Sequence, residues 1–279
     1  MAKNSDQKKV EKIVLNSTSS FYWGMNLLKE DQRRAMFSIY SFCRIVDDIA
    51  DSQGLNSKKM NDLNDWKKKI ENIYIKQTED YITRELKIAI EKYGLIKSDF
   101  IAIIDGMKMD INKKIVYPSQ NKLDLYCDRV AGAVGCLSMK VFEINHRNSR
   151  KYAKNLGRAF QYTNILRDIK EDCSMGRCYI PIEIIKKSGF SKEKPELLIK
   201  RADLKEICKE FINKTKDYYL SAEKLSLEFE RSKLKAPNLM KNMYESVFNK
   251  IYKNNWNNKA KIKLGKFEKL LIVFKSILN

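Results

Sequence analysis

The chain has 279 residues, enough to bury a sizeable core, and 43% of them are hydrophobic. Only four prolines and ten glycines interrupt it and no linker divides it, so long Lys-, Glu-, Leu- and Ile-rich stretches at helical spacing predict one all-α domain over residues 1–279. The formal net charge of +20 raises a nucleic-acid surface, but the lysines are spread along the whole chain rather than clustered; this argues for solvated helix faces and against a nucleic-acid partner.

The opening residues, MAKNSDQKKVEK, are charged and lead into no apolar run, and no segment reaches the roughly 18 apolar residues of a membrane span. Six cysteines, at positions 43, 127, 136, 173, 178 and 208, form no C-x-x-C pair and fall mostly on apolar helix faces. They read as reduced core residues of a cytoplasmic protein, with neither a zinc site nor a disulfide framework.

From Glu30 to Asp51 the apolar residues Met36, Ile39, Tyr40, Cys43 and Val46 recur at core-facing helical spacing, with Asp31 as the expected N-cap. At 100° per residue, Tyr40, Arg44, Asp47 and Asp51 fall within about 60° of one another. The stripe ends in an acidic pair one turn apart. Farther along, His146 lies in the polar run NHRNSR and reads as an exposed loop residue; as the single histidine of the chain, it leaves no basis for a histidine-centred mechanism.

The segment LGRAFQYTNILRDIKED repeats the acidic arrangement. Gln161, Asn164, Asp168 and Asp172 lie within about 80° on the helical wheel, flanked by Leu156, Phe160, Ile165 and Ile169. A single D-x-x-x-D on a helix is ordinarily a solvated patch. Two of them on apolar-flanked helices are costly unless something positive sits between, and arginines 44, 129, 167 and 177 lie in the same stretches. Oxygen-only donors with no histidine suit Mg²⁺, which takes one or two carboxylates and completes its shell with water and phosphate oxygens. No G-x-G-x-x-G or P-loop motif occurs.

The last stretch, KIKLGKFEKLLIVFKSILN, gathers Leu264, Phe267, Leu270, Leu271, Phe274, Ile277 and Leu278 on one face among lysines. Packing as a terminal core helix is the first expectation; peripheral contact with a membrane surface is the second.

Three blocks resemble the squalene and phytoene synthase family, in family order: SSFYWGMNLLKEDQRRAMFSIYSFCRIVDDIAD, YCDRVAGAVGCLSMKVF and LGRAFQYTNILRDIKEDCSMGRCYIP. With IDGMKMD, residues 104–110, they look most like the bacterial presqualene diphosphate synthases of squalene and hopanoid pathways. The resemblance implies an isoprenoid-synthase fold around a central cavity. It assigns Asp47, Asp51, Asp168 and Asp172 to Mg²⁺, with Mn²⁺ as an alternative ion and Asn164 joining the second cluster. It also places Ser17, Ser19, Phe21, Tyr40, Arg44, Arg129, Gln161, Arg167, Arg177 and Tyr179 around the substrate or its diphosphates, with Tyr126 nearby. Asp128-Arg129 departs from the pair that related sequences often carry in this block.

The implied reaction joins two prenyl diphosphates, farnesyl first, head to head into presqualene diphosphate; either released pyrophosphate or Tyr126 takes the proton that closes the cyclopropane. Phe21, Tyr22, Phe42 and Phe160 are candidates to line the cavity. No NADPH and no obligate protein partner are expected. Phytoene or dehydrosqualene synthesis and a non-catalytic helical scaffold are the competing readings.

Overall fold

A computed structural model describes residues 4–17, 19, 21–112, 115–190, 194–253 and 262–278. Among them the regular structure is helical, with one isolated bridge between Val116 and Cys178 and no strand. In chain order the helices are α1 (Ser5–Asn16), α2 (Phe21–Asn26), α3 (Glu30–Asp51), α4 (Asn56–Tyr74), α5 (Tyr81–Tyr93), α6 (Lys97–Asn112) and α7 (Gln120–Cys127). A π-helical turn (Asp128–Gly132) joins α7 directly to α8 (Ala133–Val141), and α9 (Ser149–Ser174) follows. Then come α10 (Ile182–Lys187), α11 (Pro195–Leu198), α12 (Leu204–Ser226), α13 (Lys235–Lys253) and α14 (Lys266–Leu278).

Local chemistry explains several of these boundaries. Asn4 and Gln7 cap α1 reciprocally, at 2.8 and 2.9 Å. Asp80 accepts from Thr83 N at the start of α5, and Gly94, at φ 60°, ends that helix in the left-handed conformation. The expected cap of α3 differs: the helix begins two residues earlier, with Lys29 at the cap position. Asp31 lies inside the first turn, where it favours the positive helix end and pairs with Lys92.

One apolar core joins buried residues from α1 through α13, including Val14, Phe42, Leu86, Ile103, Leu137, Leu166 and Phe211. Within it α9 runs against α8, α12 and the π-turn. Gly157 makes a close approach of α9 to the π-turn possible, because a Cβ there would stand 2.7 Å from Gly132 N and 2.8 Å from the Ala131 carbonyl carbon. Asp128, the unexpected residue of its block, is held in the same region by Arg158, at 2.6 and 3.0 Å, and by Lys154 at 3.2 Å.

All six cysteines are free, and five are buried. His146 is half-buried rather than exposed, with its ring edge-on to Phe229 at 5.3 Å and Nδ1 accepting from Asn148 N. The local polar composition hid that contact, which depends on a residue 83 positions away in the sequence.

Candidate active site

An apolar cavity enclosing about 1030 Å³, its open mouth included, lies between α2, α3, the π-turn, α8, α9 and α13. On α3 its wall is Met36, Ile39, Tyr40 and Cys43; on α9 it is Leu156, Phe160, Gln161 and Asn164. Steps of four residues along these same faces lead from Cys43 to Asp47 and Asp51, and from Asn164 to Asp168 and Asp172. The cavity wall and the acidic pairs are therefore successive stretches of two helical stripes.

Arg177 interacts with both acidic ends. Arg177 Nη1 lies 3.6 Å from Asp51 Oδ1, while its own N–H donates to the Asp172 carbonyl at 2.8 Å, closing the turn after α9. The following residues are pinned to the chain after α6: Cys178 N donates to Ile115 O, and Tyr117 N to Cys178 O, both at 2.9 Å. That pairing carries Tyr179 to Asp110 near the end of α6. Asp110 accepts from Tyr126 Oη at 2.8 Å and from Tyr179 Oη at 3.0 Å, and the two rings stack 5.4 Å apart at 24°.

Asp110 is the residue that reading the sequence missed. It follows the buried residues Phe100, Ile103 and Met107 on α6, so an acidic residue continuing an apolar stripe was its signal. Burial pushes its carboxyl upward against the two tyrosine hydrogen bonds and the pull of Arg177. Its charge also acts on Asp47 and Asp172, so it sits among the acidic residues. Burial, then Asp51, raises Asp47 to about 6. Burial, then Asp168, raises Asp172 to about 7. The Tyr126 hydroxyl is pushed far upward by burial and Asp110, which keeps it a neutral phenol.

The arginines already neutralise part of this charge. Arg44 pairs with Asp48 at 2.7 Å and Asp47 at 3.6 Å, and Arg167 grips Asp168 through two bonds of 2.9 and 2.6 Å. Arg129 is half-buried on the π-turn and is not part of the cavity lining. Ser17 and Ser19 serve the entry to α2: Ser17 Oγ donates to Val14 O at 2.6 Å, and Ser19 Oγ accepts from Phe21 N at 3.2 Å. Of the aromatic candidates, Phe21 and Phe160 line the cavity. Phe42 instead packs edge-on against Trp66 and Phe100 in the core, and Tyr22 stacks on Phe37.

Among the described residues no three acidic, histidine or cysteine side chains converge closely enough to hold an ion alone. This is the arrangement that Mg²⁺ tolerates, since it binds through one or two carboxylates and takes its remaining oxygens from water and phosphate. Asn164 Oδ1 adds a specific sign of fit, being buried with no hydrogen-bond partner among the described residues. An orphaned oxygen of that kind is costly until something positive reaches it.

A family profile for squalene/phytoene synthase matches residues 14–268. The chain belongs to the squalene/phytoene synthase family. A presqualene diphosphate synthase of Rhodopseudomonas palustris is 38% identical over 256 residues, 91% of each chain. Phytoene synthase 1 of Zea mays is more distant, 29% identical over 90% of this chain and 63% of its own. The crystal structure of a dehydrosqualene synthase in complex with ligand superposes with a TM-score of 0.83 at 23% identity, covering 98% of this chain and 95% of that one. The fold is accordingly the all-α isoprenoid-synthase fold that the family resemblance implied.

Proposed function

We propose that the chain is a prenyltransferase, acting as one helical domain, that joins two farnesyl diphosphates head to head to give presqualene diphosphate and free diphosphate. The observation that carries the reading is the continuity of an apolar cavity wall with two acidic pairs on α3 and α9, in a chain related to presqualene diphosphate synthases.

Asp47 and Asp51 on one side, and Asp168, Asp172 and Asn164 on the other, would hold Mg²⁺, or Mn²⁺ in its place. When bound, the ions supply positive charge to the departing diphosphate. Arg44, Arg167 and Arg177 now pair with carboxylates; with those carboxylates engaged, their forks are free to donate to phosphate oxygens.

In the first farnesyl diphosphate the C1–O bond breaks and both electrons leave with diphosphate. The allylic double bond of the second substrate then forms a carbon–carbon bond to C1, and loss of a proton closes the cyclopropane. The cavity excludes water that would capture the cation. Phe21, Phe160 and Tyr244 line the cavity, Phe160 and Tyr244 stacked 4.3 Å apart, and aromatic rings in that wall would stabilise positive charge. Tyr126 is not in the cavity lining but lies beside the acidic residues through Asp110; from there it takes the proton and passes its own hydroxyl proton along the 2.8 Å bond to Asp110. The reading stops at presqualene diphosphate, with no NADPH step. It includes peripheral contact with lipid, because a product of two C15 chains is too apolar to leave readily into water.

The test is incubation of the protein with Mg²⁺ and farnesyl or geranylgeranyl diphosphate, with and without NADPH, reading dephosphorylated products by mass spectrometry. Presqualene alcohol from the farnesyl substrate, unchanged by NADPH, is expected. A C40 product makes the chain a phytoene synthase, and turnover of neither substrate overturns the enzyme reading in favour of a helical scaffold.

A further inference from the structure

The most apolar face of α14 points away from the protein. Phe267, Leu270, Leu271 and Phe274 are 72, 52, 45 and 63% exposed. The opposite side meets the rest of the molecule through Ile272 and Val273, which pack on Leu239, Met243 and Leu264. Asn242 Nδ2 donates to Ser276 Oγ at 3.1 Å, and Lys250 binds Glu268 at 2.7 Å. The expected packing of the apolar stripe into the core is therefore reversed: a weaker face anchors the helix and the stronger one is left outward. The side chains of Ile277 and Leu278, expected on the same stripe, lie outside the described residues.

We infer that α14 docks the protein on an anionic lipid surface, with Phe267, Leu270, Leu271 and Phe274 entering the bilayer interface. Charge complementarity selects this occupant. At 100° per residue, Lys266 and Lys275 fall on either flank of the stripe, about 90° from its centre, where a lipid-lying helix carries its cations. The net charge of +20 adds attraction of the same sign. Thirteen residues rise about 20 Å, long enough to lie in an interface, and among the described residues no helix is long and apolar enough to cross a membrane.

A second copy of the chain fits this face less well. Two phenylalanines and two leucines offer well under the roughly 800 Å² per partner that stable dimers bury, and the flanking lysines would be brought toward those of the other copy.

The position of α14 gives the contact a purpose within the proposed function, although the docking itself does not depend on turnover. Trp23 and Leu27 pack into the cluster beneath α14, whereas Phe21 and Met25 of the same segment line the cavity. On α13, Leu239 and Met243 likewise face α14 while Met240 and Tyr244 face the cavity. The α2–α13 wall thus has lipid-seeking α14 on one side and the prenyl cavity on the other. It is thin because Gly24 admits Met240, whose side chain lies 2.7 Å from the place of a Cβ.

The experiment is flotation of the purified chain with phosphatidylcholine vesicles and with vesicles rich in phosphatidylglycerol, alongside sedimentation velocity without lipid. Wild type should float with the anionic vesicles and be released by salt. Phe267→Ser/Phe274→Ser should lose at least about tenfold in partitioning, and Lys266→Glu/Lys275→Glu about 20-fold or more. Both variants should keep the wild-type melting temperature, since these side chains are exposed. Failure of wild type to float, equal binding to neutral vesicles, or unchanged flotation of the double phenylalanine variant overturns the proposal. A wild-type dimer that the phenylalanine variant converts to monomer, with no vesicle binding, assigns the face to a second copy instead.

Discussion

Tyr126 donates its hydroxyl proton to Asp110 across 2.8 Å, on a carboxylate that also accepts from Tyr179. The arrangement gives a proton arriving at Tyr126 somewhere to go. Tyr126→Phe should lower kcat about 10²- to 10⁴-fold with little change in KM, and should divert the cation to water, giving alcohols in place of presqualene diphosphate. Asp110→Asn should reproduce that diversion more weakly, and the double variant should be no slower than Tyr126→Phe, because residues acting as one unit are not additive. Full presqualene diphosphate synthesis by Tyr126→Phe would make released diphosphate the proton acceptor. Steady-state kinetics with product analysis decides.

Asp47 and Asp172 give the site a pH dependence of defined sign. Their folded-state values, about 6 and about 7, lie above the ordinary value near 3.9 for an unfolded aspartate. Between these limits the folded chain binds more protons than the unfolded one, so without ions their contribution to stability is fully present in acid and is lost as pH rises from about 4 to about 7. Mg²⁺ requires the deprotonated carboxylates. Its stabilising effect should therefore be small near pH 5.5 and grow toward pH 8, with protons released on binding near pH 6.5. Thermal melts with and without Mg²⁺, and calorimetry in buffers of different ionisation heat, measure both; a Mg²⁺ effect that is flat over this range contradicts the assignment.

Gly157→Ala tests how tightly α9 must approach the π-turn. The added methyl would meet backbone at 2.7 and 2.8 Å, which cannot swing aside as a side chain can. A loss of about 1–3 kcal/mol is expected, read from denaturant unfolding. Because Gly157 lines the cavity, the same variant should also raise KM for farnesyl diphosphate.

The acidic pairs were legible in the sequence because one helix carries each pair, and helical spacing alone puts Asp47 beside Asp51 and Asp168 beside Asp172. What brings the pairs together was not. Arg177 reaches Asp51 through the turn after α9, and Tyr179 reaches Asp110 only because Cys178 pairs with the chain after α6. These contacts join residues 61 to 126 positions apart and leave no periodic trace. The same limit explains the aromatics: Phe42 and Phe160 look alike in composition, yet one fills the core and the other faces the cavity. On α14 the stripe was legible and its direction was not, since the direction depends on which face Leu239 and Met243 accept.

In the proposed function the two acidic pairs share the ions that hold substrate diphosphate at the mouth of the apolar cavity. Anomalous diffraction from crystals grown with Mn²⁺ and a non-ionising farnesyl thiodiphosphate tests it most directly. Mn²⁺ peaks are expected within coordination distance of Asp47 or Asp51 and of Asp168, Asp172 or Asn164, with the diphosphate beside them and the prenyl chain against Phe21 and Phe160. Ions bound away from these residues, or diphosphate held at the mouth without them, would contradict it.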